Sequence, residues 1–280
     1  MAHAFEDSRE TVLAALAAYA QAESAVEALW LQGSLARGDA DPFSDIDAYL
    51  AVRDADYDSV WATRGAVLER LGGALAWSDA TTPGLTAVHA LMPGGVRLDL
   101  FFEKASVASE PARPVAASLI DKTGVVDRLT LGWQAPTPLI ARIVLTIIRM
   151  TRQGATWPVR VLGRGQWPTL AMMELDLINA QLAQLMAVRR DPANFYRNPF
   201  SLAGLLAADD RATLEALTAD ALTALAARDM AALKPVHLRV LDALVTEGRA
   251  ACAALGVDYP IEAANEQAVR DLVEANWPAK

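Results

Sequence analysis

The 280-residue chain is poor in the residues that many functions require. It has one cysteine, three histidines and fewer basic than acidic residues. With Cys252 alone, no internal disulfide can form, and a structural zinc site lacks its usual thiolates. No apolar run reaches the ~18–20 residues of a membrane span. The richest stretch, Leu139 to Ile148, is interrupted by Arg142. The first ten residues carry acids where a signal peptide carries bases. A cytoplasmic protein with no membrane partner is therefore expected. The formal charge of −9 argues against a duplex nucleic acid as partner. What is present, 53% hydrophobic and 21% charged residues, is a globular composition with enough length for one large domain or two.

The charge is unevenly placed. Residues 1–133 hold 19 acids and 10 bases, so the whole imbalance lies there, and seven aspartates fall between Asp39 and Asp58. Residues 134–280 are neutral overall. Within them, five arginines and no acid lie between Arg142 and Arg164.

Periodicity divides the chain at the same place. In the first half, helical segments at 8–28 and 56–71 alternate with strands at Ala28–Gln32 and Asp45–Arg53. Leu85–Met92 and Val96–Phe102 flank Pro93-Gly94-Gly95, which predicts a hairpin. A linker is expected within 103–136, with a short strand at Val125–Leu129. Beyond it, helices are expected at 137–153, 167–190, 201–230 (one helix or two short ones), 236–255 and 261–275, the first opened by Thr137-Pro138 and the one at 236–255 by Pro235. The expected domains are thus 1–133 and 134–280.

The stretch Leu31–Leu50, LQGSLARGDADPFSDIDAYL, carries the chemistry. A strand ends at Gly33-Ser34 and a helix can start just after. Glycine lets the backbone approach an anion, Ser34 adds a hydroxyl, and a helix start offers unpaired N–H groups. Ser44-Asp45-Ile46-Asp47 then heads a strand, where period two puts both carboxylates on one face and Ile46 toward the core. Two adjacent carboxylates repel unless a cation lies between them, and Mg²⁺ suits hard oxygen ligands. In Arg97-Leu98-Asp99-Leu100-Phe101-Phe102, Asp99 faces away from Leu98, Leu100 and Phe102. An acid in such a strand needs a partner.

Gly33-Ser34, Asp45-Ile46-Asp47 and the later Asp99 resemble the signature of the polymerase beta-like nucleotidyltransferase superfamily. The resemblance implies an α+β fold, with a mixed sheet and flanking helices followed by a C-terminal helical bundle. It also implies transfer of a nucleoside monophosphate, AMP from ATP, to a substrate hydroxyl, with release of pyrophosphate. Ser34 and nearby backbone N–H groups would hold the β and γ phosphates, and Asp45 and Asp47 one or two Mg²⁺ ions. Asp99 would be a third ligand or the base that takes the hydroxyl proton. A catalytic core followed by a helical domain is similar to the aminoglycoside nucleotidyltransferases, as is Gly163-Arg164-Gly165-Gln166-Trp167 leading into a long helix. The implied acceptor is a small cationic molecule of aminoglycoside type. Other acceptors (a lincosamide, a protein, an RNA end) and a non-catalytic nucleotide-binding protein of the same fold are the alternatives.

Other residues extend this site by their position. Arg37 is a candidate phosphate contact, and Ser44 either caps a turn or orients Asp45. Arg149 and Arg164, with Arg152 and Arg160, are candidates to clamp the triphosphate from the second domain. Glu174, on an apolar helix face, is a candidate to line a pocket for a cationic substrate or to act as a second base. His89 and His237 read as structural. No clear oligomerisation signal is present, so a monomer or weak homodimer is expected.

Overall fold

The structure, a computed structural model, describes residues 2–82, 85–110, 112–194 and 205–278. The chain divides into two compact units, 1–133 and 134–280. The first is built on a six-stranded mixed sheet and the second on helices, so the architecture is α+β.

The first unit opens with α1 (Ala2–Ala22), whose Val12, Leu16 and Ala20 form a buried stripe at helical spacing. The sheet contains β1 (Val26–Leu31), β2 (Ile46–Val52), β3 (Ala76–Thr82), β4 (Leu85–Leu91), β5 (Arg97–Lys104) and β6 (Ala117–Asp121). Their order is β3-β4-β5-β2-β1-β6. Among the described residues, β2 and β5 pair in parallel, and the other neighbouring strands of this sheet pair antiparallel. Three short helices interrupt the strands: α2 (Gly33–Arg37), α3 (Tyr57–Ala62) and α4 (Arg64–Arg70).

Strand alternation gives the sheet two different faces. Ile46, Ala48, Leu50, Leu98, Leu100 and Phe102 join the core cluster to which α1 and α4 also contribute. The opposite face begins as a smaller apolar cluster around Ala28, Trp30 and Ala51. Toward the β2 and β5 N-termini it becomes polar, and the site lies there.

Several boundaries differ from the sequence reading. The last strand is Ala117–Asp121, and 126–128 is a single 3-10 turn. The Asp121 carboxylate causes this, accepting the N–H groups of Val125 and Val126 at 2.9 Å each and so turning the chain. Strand β3 had no prediction, because Ser78, Asp79, Thr81 and Thr82 give it little apolar alternation.

In the second unit, α5 is Thr137–Gly154, α6 Trp157–Leu162, α7 Trp167–Asp176 and α8 Ala183–Arg190, with a π turn at Leu177–Leu182 between the last two. Next come α9 (Ala208–Ala227), α10 (Met230–Leu255) and α11 (Ala263–Asn276). Part of the helix expected at 201–230 lies outside the described residues. Pro235 sits inside α10 rather than opening it, because Asp229 caps the helix a turn earlier, accepting Ala232 N–H at 3.0 Å. Among the described residues no helix is long and apolar enough to cross a membrane.

Candidate functional site

The site starts where β1 ends. The Gln32 N–H donates to the Asp47 carbonyl at 2.9 Å, which fixes the β1 end against β2. Gly33 then turns with φ +64° into α2. A Cβ at this position would lie 2.0 Å from Asp47 Oδ2. Both the left-handed backbone and the approach of the carboxylate therefore demand glycine. Ser34 follows as the second residue of α2, half-buried.

Asp45 and Asp47 head β2, and Asp99 lies beside Asp47 through the parallel β2–β5 register. Ligand oxygens from all three carboxylates lie within 4.8 Å of one another. Asp99 is only 7% exposed. The cost of crowding falls on Asp47. Its pKa is pushed up to about 6, first by burial and then by the charges of Asp45 and Asp99; Arg97 and Arg37 oppose the shift. Such a cluster is short of positive charge. Three converging carboxylates are the oxygen donor set that a hard divalent cation takes. The close approach permitted by Gly33 keeps Asp47 in that set. The residues present fit Mg²⁺.

Asp99 has donors of its own. Its Oδ1 accepts from His89 Nδ1 at 2.8 Å and from Arg97 Nε at 3.3 Å, and its Oδ2 from Arg97 Nη2 at 3.1 Å. His89 was read from sequence as structural, yet the register places it directly opposite Asp99. Ser78 in turn lies opposite His89. Ser78, His89, Asp99 and Asp47 thus form one polar row across four strands. The next row along the strands is Ala87, Phe101, Tyr49 and Trp30. Tyr49 stacks on Phe101 at 4.4 Å and on Trp30 at 5.5 Å, and the Arg113 guanidinium covers both Tyr49 and Trp30. Burial pushes the Tyr49 hydroxyl up to about 12, so it stays protonated. On the other side of Asp99, His89, Arg97, Ser78, Leu91, Ala76 and Trp77 border an open groove of about 410 Å³.

The loop into Asp45 is held by residues that sequence reasoning missed or left open. Arg9, buried on α1, donates from Nη1 to the Asp41 carbonyl at 2.5 Å and to the Ser44 carbonyl at 3.4 Å. Ser44 Oγ bonds Asp41 at 3.0 Å and accepts the Asp41 N–H at 2.9 Å. Of its two expected roles, Ser44 therefore has the turn-capping one. Arg37 pairs with Asp39 at 3.1 Å. Asp54 caps Ser106 and Asp56 pairs with Arg53, so most of the aspartate run has a structural use.

The candidates of the second unit divide. Arg149, Arg160 and Arg164 are exposed, and Arg149 lines a cleft of about 430 Å³ with Arg142, Pro138 and Val257. Arg152 is not available to a phosphate. It is buried, pairs with Glu266 at 2.9 Å and donates to the Leu241 carbonyl at 2.7 Å. Glu174 does not line a pocket either. It is fully buried, 2.6 Å from the equally buried Nδ1 of His237, because its apolar helix face packs into the bundle interior.

No family model and no curated protein matches the chain. Among solved structures, an aminoglycoside 6-adenyltransferase from Bacillus subtilis aligns over 97% of this chain and 98% of its own, with 14% identity and a TM-score of 0.40. At that level the likeness carries no weight for activity. The arrangement of Asp45, Asp47, Asp99 and Gly33 is the firmer ground.

Proposed function

We propose that the chain is a Mg²⁺-dependent nucleotidyltransferase. It moves AMP from ATP to a hydroxyl of a small molecule and releases pyrophosphate. The observation that carries this reading is the convergence of Asp45, Asp47 and Asp99 within 4.8 Å beside a glycine turn that opens a helix.

Asp45 and Asp47 would hold the metal, with Asp99 as third ligand or as the base for the acceptor proton. The bound ion supplies charge neutralisation for the triphosphate and the leaving pyrophosphate. The Ser34 hydroxyl and the N–H groups of the Gly33–Leu35 turn would receive the β and γ phosphates. The acceptor oxygen forms its bond to the α-phosphorus as the α–β bridging P–O bond breaks, so the chain's main task is alignment. Arg37, at the end of the helix that this turn opens, is a further phosphate contact in the proposal. Arg152 and Glu174 have no place in it. The acceptor proposed is of aminoglycoside type, on the sequence resemblance.

Labelled ATP, GTP, CTP and UTP, each offered with a panel of hydroxylated antibiotics, test the reading through pyrophosphate release. ATP with an aminoglycoside should give the largest signal. Transfer only to a lincosamide, a protein or an RNA end would replace the acceptor. Nucleotide binding without release under any condition would favour a regulatory protein. Arg37→Ala should weaken ATP binding by about 10-fold.

A further inference from the structure

We propose that His89 is a positioning residue for the metal triad, donating from Nδ1 to hold the Asp99 carboxylate in place against Asp45 and Asp47. The inference rests on the triad being the metal-ligand set of the proposed enzyme, and on nothing about the acceptor.

Three carboxylates in one small volume repel one another, and the mobile member turns away unless something holds it. Asp45 and Asp47 come from the start of one strand, and the missing Cβ of Gly33 gives the Asp47 carboxylate the room it takes beside the turn. Asp99 comes from another strand. Its restraint must come from donors on the side away from the other two acids, and two are present. Arg97 lies on the same strand, two residues away, with a long side chain that is 56% exposed. Such a side chain costs conformational entropy to hold. His89 has a short, stiff ring on the neighbouring antiparallel strand, directly opposite Asp99. The ring sits edge-on to Phe101 at 6.5 Å between centroids. An ionised carboxylate only accepts hydrogen bonds, so the hydrogen between Nδ1 and Oδ1 belongs to His89. A donor that fixes a ligand carboxylate is worth about 10-fold or more in metal affinity or activity where such outer partners have been removed.

The geometry makes the role specific to one nitrogen. The side-chain amide of asparagine places its NH₂ near the Nδ1 position, whereas glutamine reaches one methylene further. His89→Ala, His89→Asn and His89→Gln therefore separate donation at Nδ1 from simple occupation of the strand. Mn²⁺ binding to the nucleotide-free protein, followed through the free-ion electron paramagnetic resonance signal, gives a readout independent of turnover. His89→Ala should raise the Mn²⁺ Kd about 10-fold and lower kcat by a similar factor, while the KM for ATP stays within about 2-fold. His89→Asn should recover most of both losses, and His89→Gln should not. Unfolding temperatures of the three variants should agree within a few degrees, which separates the effect from lost folding. Unchanged Mn²⁺ affinity in His89→Ala, or an asparagine variant as weak as the alanine one, would overturn the proposal. If Mn²⁺ affinity follows the expected order in a protein that transfers no nucleotide, the positioning role stands and only the transfer reading fails.

Discussion

Both halves of the chain bury ion pairs, but one gathers three carboxylates in a single place. In the helical half, buried acids lie against basic side chains. Arg152 lies against Glu266, which also accepts from the Tyr259 hydroxyl at 2.5 Å, and Glu174 faces His237. Arg189 bridges Asp210 at 2.6 Å and Glu247 at 2.8 Å. In the sheet half, Arg113 pairs with Glu103 and Arg97 with Asp99, yet Asp45, Asp47 and Asp99 are also gathered with one another. Removing one member of a buried pair leaves the other uncompensated. A like-charged group is incomplete, and relieving it stabilises the fold. An acid on an apolar face therefore carries no function by itself; the sign of its neighbours decides.

The contrast can be tested from its strongest consequence downward. Asp47→Asn should reduce nucleotidyl transfer about 10³-fold, as removal of a metal ligand does, measured by pyrophosphate release. Arg152→Ala should cost about 3 kcal/mol of stability by urea denaturation, because Glu266 is left buried without its cation. Equal sensitivity of both halves to loss of one charge would break the comparison. The smallest effect has the most informative sign. Asp47 is pushed from 3.8 up to about 6, so the folded apo protein holds this proton more tightly than the unfolded chain. Stability from this group is present below about pH 4 and is lost as pH rises through about 6. Asp47→Asn should thus be more stable than wild type at pH 7.5 by about 1–2 kcal/mol, the group being partly solvent-screened. The gain should vanish near pH 4, and Mg²⁺ should raise the wild-type melting temperature but not that of the variant.

Much of the sheet half was legible in the sequence. The alternation around Ile46 and Leu98 set which residues face the core, and the acids at 45, 47 and 99 took the other face. The Pro93-Gly94-Gly95 loop held more than was read from it. Met92 and Val96 flank it, so counting outward pairs residue 89 with residue 99, and His89 could have been placed beside Asp99 from the sequence alone. Histidine was passed over because a single His on a strand has many uses. Arg9 could not be found this way, since its partners are backbone carbonyls of a loop 32 and 35 residues away. Glu174 shows the reverse case. Its apolar neighbours suggested a pocket lining, but the acid is buried in the bundle, and its partner His237 lies on α10, distant in sequence.

The parallel pairing of β2 with β5 also bears on the order of folding. Hairpins such as β3–β4 and β4–β5 can form from adjacent chain, but a parallel pair cannot, because its strands must be joined by a long crossover. Asp47 and Asp99 therefore meet only after that crossover has closed, a slow step dominated by loop entropy. A folding intermediate with every hairpin in place would still lack the cation site. If the three acids take a metal as proposed, its capture by a refolding chain would mark the arrival of the completed sheet.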